Sequence, residues 1–182
     1  TGRIEPTKAY PTSYTPCTEV VKEELDNGIF RQVKKAPDFS KYDTIFVGIP
    51  VWWHTAPTLM THFLEENKEA LKGKTIIPFC TYQATYRDET LAALTDATPT
   101  ANHKEGYGTT NPKQGDIDTW LKKIGVQNEK TILTLSLALA LTMTASANGN
   151  EVSRAKTLVA YFSFPIDSGK EALDATSGAS VT

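Results

Sequence analysis

Two hydrophobic patterns alternate along the chain. Continuous apolar runs occur at "TIFVGIP" (44–50), "TIIPFCT" (75–81) and "TLVAYFSF" (157–164), and "RIEP" (3–6) is a short fourth. Runs of this kind predict strands buried on both faces, as in parallel sheets. Pro78 weakens the second run as a central strand, because proline has no ladder donor. The stretches between the runs carry helical periodicity. "TPCTEVVKEELDNG" offers Thr15 as a cap, Pro16 as the first helical residue and Gly28 as the stop. "PTLMTHFLEENKEALKG" opens at Pro57 and stops at Gly73, with Leu59, Met60, Phe63 and Leu64 on one face. "GDIDTWLKKIG" repeats Ile117, Trp120, Leu121 and Ile124, so Trp120 reads as core. "DETLAALTDA" (88–97) is a weaker helix, and 98–114 reads as loop with a short edge strand near "HKEGYG". "KEELD" and "EENKEA" read as solvated helix faces.

Strands alternating with helices predict one α/β domain over 1–182, an open parallel sheet with right-handed crossovers. Ligands bind such sheets outside the carboxyl ends of the strands. That rule selects "VWWHTA", "TYQATY" and "SFPIDSG". The first two loops are aromatic and hydroxyl-rich, which suits a flat, apolar, hydrogen-bonding ligand. Trp52 and Trp53 are adjacent, and neighbours in an extended segment point to opposite sides. One of the two rings is therefore expected to face a ligand or a partner rather than the core.

Charge and composition narrow the function classes. A net charge of −2 on 182 residues gives no argument for nucleic acid or an anionic membrane. Cys17 and Cys80 match no metal spacing and no CxxC pair. Two free thiols is the simpler reading, with a single disulfide left open. The three histidines, His54, His62 and His103, are scattered, which argues against zinc. Residues 130–147, "KTILTLSLALALTMTASA", have the charged start, apolar centre and AxA ending of a secretory signal peptide. The run is too short for a stable membrane span. Its place late in the chain has three readings: a circular permutation, an altered segment order, or the start of a second copy. An internal buried helix or linker is the fourth. If 127–147 acts as a leader, the protein is exported to the periplasm or beyond; otherwise it is cytoplasmic.

"YDTIFVGIPVWWHTAPTLMTHFLEENKEALKGKTIIPFCTYQ" resembles the flavodoxin-like flavoproteins of bacteria. "RIEPTKAYPTSYTPC" is similar to that family's second strand and the segment after it, "KTLVAYFSF" to its first strand, and "DIDTWLKKIGV" to its last helix. The resemblance implies a five-stranded sheet in order 2-1-3-4-5, helices on both faces, and FMN at the switch between strands 1 and 3, which is a standard illustration of the rule. It also implies a rotated order, with 148–182 corresponding to the family's beginning.

Residue roles follow from the resemblance. Backbone near Pro50 and Val51 would meet the polar edge of the flavin, and Trp52 or Trp53 would cover or border it. His54 is either a neighbour of the ring's anionic edge or an ordinary loop residue. Thr81, Tyr82 and Gln83 match the second flavin loop, although small residues are usual there. Ser163, followed by Phe164, is the match on the phosphate side. The family's Gly-Asn-Thr phosphate triplet is absent, and Ser177 and Gly178 are the substitutes within reach. The implied function is FMN-dependent electron transfer or oxidoreduction, with a redox protein or a small acceptor such as a quinone, and NAD(P)H as donor. The rival is a flavodoxin-like scaffold that holds no FMN.

Overall fold

A computed structural model describes residues 2–126 and 157–163. The strands are β1 (Gly2–Arg3), β2 (Thr44–Pro50), β3 (Thr75–Thr81), β4 (Asn102–His103), β5 (Tyr107–Thr109) and β6 (Thr157–Tyr161). The α-helices are α1 (Tyr14–Asn27), α2 (Thr58–Glu66), α3 (Lys68–Leu71), α4 (Arg87–Asp96) and α5 (Gln114–Lys123). The sheet order is β1-β6-β2-β3-β4, with β5 also on β3, and every ladder is parallel. β4 and β5 follow one another along the same flank of β3, so the sheet has five positions. The order 2-1-3-4-5 is therefore present, with β6 standing where a first strand would stand. The signal-like segment 127–147, residues 148–156, Phe164, Ser177 and Gly178 lie outside the described residues.

Alternating side chains of the central strands feed two cores. Ile45, Val47 and Ile49 of β2 face one side, together with Ile76, Cys80, Leu158 and Ala160. That side is covered by Cys17 and Val21 of α1, Leu59, Met60, Phe63 and Leu64 of α2, and Leu91 and Leu94 of α4. Phe46, Ile77, Phe79 and Val159 face the other side, under Ile117, Trp120 and Leu121 of α5. Helices thus cover both faces. Cys17 and Cys80 are both buried and no disulfide joins them, which settles the pairing left open by the sequence. Among the described residues no helix is long and apolar enough to cross a membrane.

Pro78 lies inside β3 after all, flanked by strands on both sides. The edge yields to it: β4 ends at His103 and β5 begins at Tyr107, so after the Lys104 N–H bond to the Ile76 carbonyl at 3.2 Å the ladder is interrupted beside Pro78. Gly106 makes the close approach, since a Cβ there would lie 2.9 Å from the Pro78 carbonyl oxygen and 3.0 Å from its Cγ. The Glu105 carbonyl, freed from the ladder, accepts a 2.9 Å bond from Trp120 Nε1.

Two boundaries differ from the sequence reading. α1 begins at Tyr14 with Ser13 before it, so Pro16 is the third helical residue, while Gly28 closes the helix at φ 60° as expected. The helix from Pro57 breaks at Asn67 into α2 and α3. A larger correction concerns "KEELD". Cys17, Val21 and Glu24 share the inward face of α1, so Glu24 is buried and Leu25 is exposed. The carboxylate is tolerated because it is fully engaged. Tyr10 Oη donates to Glu24 Oε2 at 2.7 Å, and Arg31 Nε pairs with Oε1. Arg31 also donates to the Lys8 and Ala9 carbonyls at 2.7 and 3.0 Å, and its guanidinium lies 3.9 Å from the Tyr10 ring centroid. Removing one partner of such a buried pair costs about 3–5 kcal/mol.

Two stability predictions follow from this packing. A Cβ at Gly48 would lie 2.1 Å from Cζ of the Phe79 ring on the neighbouring strand. Gly48→Ala should therefore cost roughly 1–3 kcal/mol in denaturant unfolding, and Phe79→Leu in the same chain should recover part of that loss. No recovery would mean that the ring is not the obstacle. The second concerns alkali. Burial, reinforced by Glu24 and opposed by Arg31, pushes the Cys17 thiol up from about 9 to about 12, and burial together with the Glu24 bond pushes Tyr10 up as well. Both groups hold their protons longer folded than unfolded. Their contribution is complete below pH 9 and is lost as pH rises towards 12. Urea titrations should show stability flat near neutrality and falling above that point, with Cys17→Ala removing about 1.4 kcal/mol per pH unit of the alkaline slope. An unchanged slope would contradict it.

Candidate functional site

β1, β2, β3, β5 and β6 deliver their carboxyl ends to one edge. Past each strand the backbone still pairs with its neighbour: Ile4 N–H with Tyr161, Phe162 with Gly48, Val51 with Thr81, and Tyr82 with Thr109. Pro50 stands beside Thr81 in register, so Pro50, Val51 and Thr81 are brought together. Thr81, Thr109 and Ser163 are buried hydroxyl residues at the ends of β3, β5 and β6. Thr109 Oγ1 accepts a 3.1 Å bond from Asn111 N–H, and a row of hydroxyls at strand ends suits a polar ligand rim.

"WWHT" is a tight turn. Trp52 N–H donates to the Thr55 carbonyl at 2.9 Å, and Thr55 N–H returns a 3.1 Å bond. The two residues between them, Trp53 and His54, have φ of 45° and 68°. Two central residues at positive φ mark a type I′ turn, which normally takes Asn-Gly. The premise of an extended segment therefore fails, and with it the argument that the two rings must part. Trp52 is 1% exposed and packs edge-on against Tyr10 and Phe162, at centroid distances of 4.9 and 5.1 Å. Trp53 is half-buried against α1; its Nε1 donates to the Thr18 carbonyl at 2.7 Å, and Lys22 Nζ lies 5.5 Å from its ring centroid. Neither tryptophan stands out as a bare wall.

The ring that reaches across the edge is His54. It stacks on Tyr86 with centroids 4.0 Å apart and an interplanar angle of 27°. Tyr86 ends the loop after β3, at φ 69° immediately before α4. The two loops are thus joined by an aromatic pair. Trp53, His54 and Tyr86 are also the non-glycine residues with positive φ among the described residues. Such conformations cost of order 1–3 kcal/mol each and persist only where surrounding structure enforces them, commonly at ligand sites. Tyr82 is half-buried and Gln83 is exposed on the same loop. Tyr107, at the start of β5, stacks on Trp120 at 5.0 Å, and burial holds its hydroxyl above the ordinary tyrosine range.

Sequence reasoning selected the two loops but passed over Tyr86, Thr109 and Tyr10. Tyr86 was within reach of it, as the last aromatic residue before a helix start. Tyr10 was not, because its position depends on Arg31 and Glu24, which lie far along the chain. Among the described residues no cluster of His, Cys, Asp or Glu is arranged to hold a metal ion.

This geometry has relatives. A crystal structure from Bacteroides eggerthii DSM 20697, of a protein assigned to the flavoproteins, is 27% identical with a TM-score of 0.57, over 68% of this chain and 80% of that one. Another assigned flavoprotein, from Bacteroides uniformis ATCC 8492, is 25% identical with a TM-score of 0.53, over 65% and 78% of the two chains. A flavoprotein from Lactobacillus acidophilus NCFM, crystallised in complex with FMN, shares the fold at 16% identity and a TM-score of 0.53, over 66% and 76%. No curated protein matches the chain. The family model described as flavodoxin matches residues 23–124, more than half of the sequence, and the chain belongs to the flavodoxin family.

Proposed function

We propose that the carboxyl edge of the sheet binds FMN and that the protein is a redox flavoprotein. The observation that carries this reading is the His54–Tyr86 stack, built from the loops after β2 and β3 and held in left-handed backbone at the carboxyl edge. The donor set fits the group. Flat aromatic faces from His54 and Tyr86 suit an isoalloxazine, backbone at Pro50 and Val51 with Thr81 suits its polar edge, and Ser163 stands on the side of β6 where the ribityl phosphate would run. Tyr82 and Gln83 border the same crevice. When bound, FMN supplies one- and two-electron transfer. The chain's own residues orient and shield it. Trp53, anchored to Thr18, holds the turn that carries His54, and the buried Trp52 fixes that turn on the core. Electron-rich rings beside the flavin disfavour its reduced anionic form.

A dedicated carrier protein would present a strongly acidic face to its partners. The net charge of −2 gives little support for that role, and the alternative within this reading is an enzyme that uses a small acceptor such as a quinone and a nicotinamide donor. A second reading has its own support. His54 and Tyr86 already touch, which suits a scaffold whose edge stays closed.

One titration separates the two readings. FMN added to the purified protein should lose fluorescence and show a perturbed visible spectrum. Tyr86→Ala should weaken binding by roughly tenfold, the scale of one ring contact. His54→Gly should weaken it similarly while changing unfolding stability by less than about 1 kcal/mol, because glycine relieves the positive φ as the stack is lost. No quenching and no retained flavin would leave the scaffold.

A further inference from the structure

A groove on the flank of α1 has no part in the ring site. It opens a volume of about 560 Å³, within the range of small-molecule sites. One wall is the segment 8–11, and the other is the side of α1 that carries Val20 and Glu23. The two walls are tied together at the floor. Arg31 holds the Lys8 and Ala9 carbonyls at 2.7 and 3.0 Å and pairs through Nε with Glu24. The buried ion pair thus sets the width of the groove.

Two groups in the lining lack the contacts their chemistry calls for. The first is Arg31. Its side chain is 9% exposed, and its Nε and Nη1 both have acceptors. Nη2 has no acceptor among the described residues, yet it is not sealed from solvent. The oxygens of Glu24 are directed elsewhere, Oε1 at Arg31 Nε and Oε2 at Tyr10 Oη. A guanidinium keeps its charge and only donates, so Nη2 calls for an acceptor from outside.

The second group is Ile29. Its N–H donates to the Glu24 carbonyl at 2.9 Å, just past Gly28. A residue at that point of a helix end commonly packs on an apolar side chain one turn back. Here that neighbour is Glu24, and Ile29 stays 45% exposed while lining the groove with Pro11 and Val20. Apolar walls around a buried cationic donor suit an amphipathic acid. Lys8 adds a cation on one wall, and Glu23 on the other opposes a second negative charge, which favours one carboxylate over a dianion. We propose that this groove binds a small organic monocarboxylate, with the carboxylate on Arg31 Nη2 and the apolar body against Pro11, Val20 and Ile29. The site stands apart from the flavin reading and does not rest on it.

Phenylacetate, its neutral amide phenylacetamide and inorganic phosphate are the probes, each titrated on the full chain and followed by amide NMR shifts. Phenylacetate should move the amides of Val20, Glu23, Ile29 and Arg31, and phenylacetamide should bind at least roughly tenfold more weakly, the loss of one charged hydrogen bond. Phosphate should leave these amides in place. Ile29→Glu, at an exposed position, should weaken phenylacetate by a similar factor with the rest of the spectrum unchanged. Glu24→Leu combined with Arg31→Met removes the ion pair without leaving a lone buried charge, and this variant should bind acid and amide alike. The assignment is overturned if wild type binds acid and amide equally or binds neither. It is also overturned if Ile29→Glu keeps full affinity, or if the shifts gather around His54 and Tyr86 instead.

Discussion

The position of β6 is the constraint on which the rest of the molecule depends. Among the described residues β1 pairs with the sheet only through β6, by Gly2–Ala160 and Arg3–Tyr161. β6 also pairs with β2 along its whole length, from Thr157 to Tyr161. A strand from the far end of the sequence therefore closes the gap between two segments from its beginning. Phe162, the residue that follows, supplies an edge contact to Trp52 and another to Tyr10. Without that strand the edge turn would lose the ring beneath it, and a two-residue β1 would have nothing to pair with. Closing so long a loop costs entropy that grows slowly with its length. Burial of Leu158, Val159 and Ala160 on both faces of the sheet offsets it.

The second fixed point is Tyr10. Its ring packs on Trp52 and Phe162, its hydroxyl is tied to Glu24, and Arg31 lies over its face. Three segments that share no secondary structure thus converge on one side chain. The buried pair of Glu24 and Arg31 is weak evidence for stability as such. Its value lies in geometry, since Arg31 also holds the Lys8 and Ala9 carbonyls. The chain after β1 is thereby pinned to α1, and the carboxyl edge keeps its shape between β1 and β6.

The legible and illegible parts of this protein divide by range of interaction. β2, β3 and β6 were legible because a strand buried on both faces must be apolar throughout. The faces of α2 and α5 were legible because helical periodicity is local. Pro78 misled because the missing donor is judged against a regular neighbour, whereas here the neighbour itself breaks between His103 and Tyr107. Glu24 misled because a carboxylate reads as solvated until its partners are known, and those partners are seven and fourteen residues away. The two edge loops were selected by topology alone. The arrangement of rings within them was not, since nothing in "VWWHT" announces positive φ at a tryptophan and a histidine.

That turn carries the functional argument. Asn-Gly would build a type I′ turn with little strain, yet the chain spends Trp53 and His54 there. The strain of two left-handed residues, of order 1–3 kcal/mol each, has to be met by something. Full burial of Trp52 contributes on one side of the turn, and the bond from Trp53 Nε1 to Thr18 contributes on the other. Tyr86 repeats the pattern across the crevice, left-handed at the mouth of α4. If these rings served packing alone, they would be better placed in extended or helical backbone, where the same area is buried without strain. Their conformation makes sense where ring orientation at the edge matters more than the stability it costs, and that is the requirement of a site for a flat ligand.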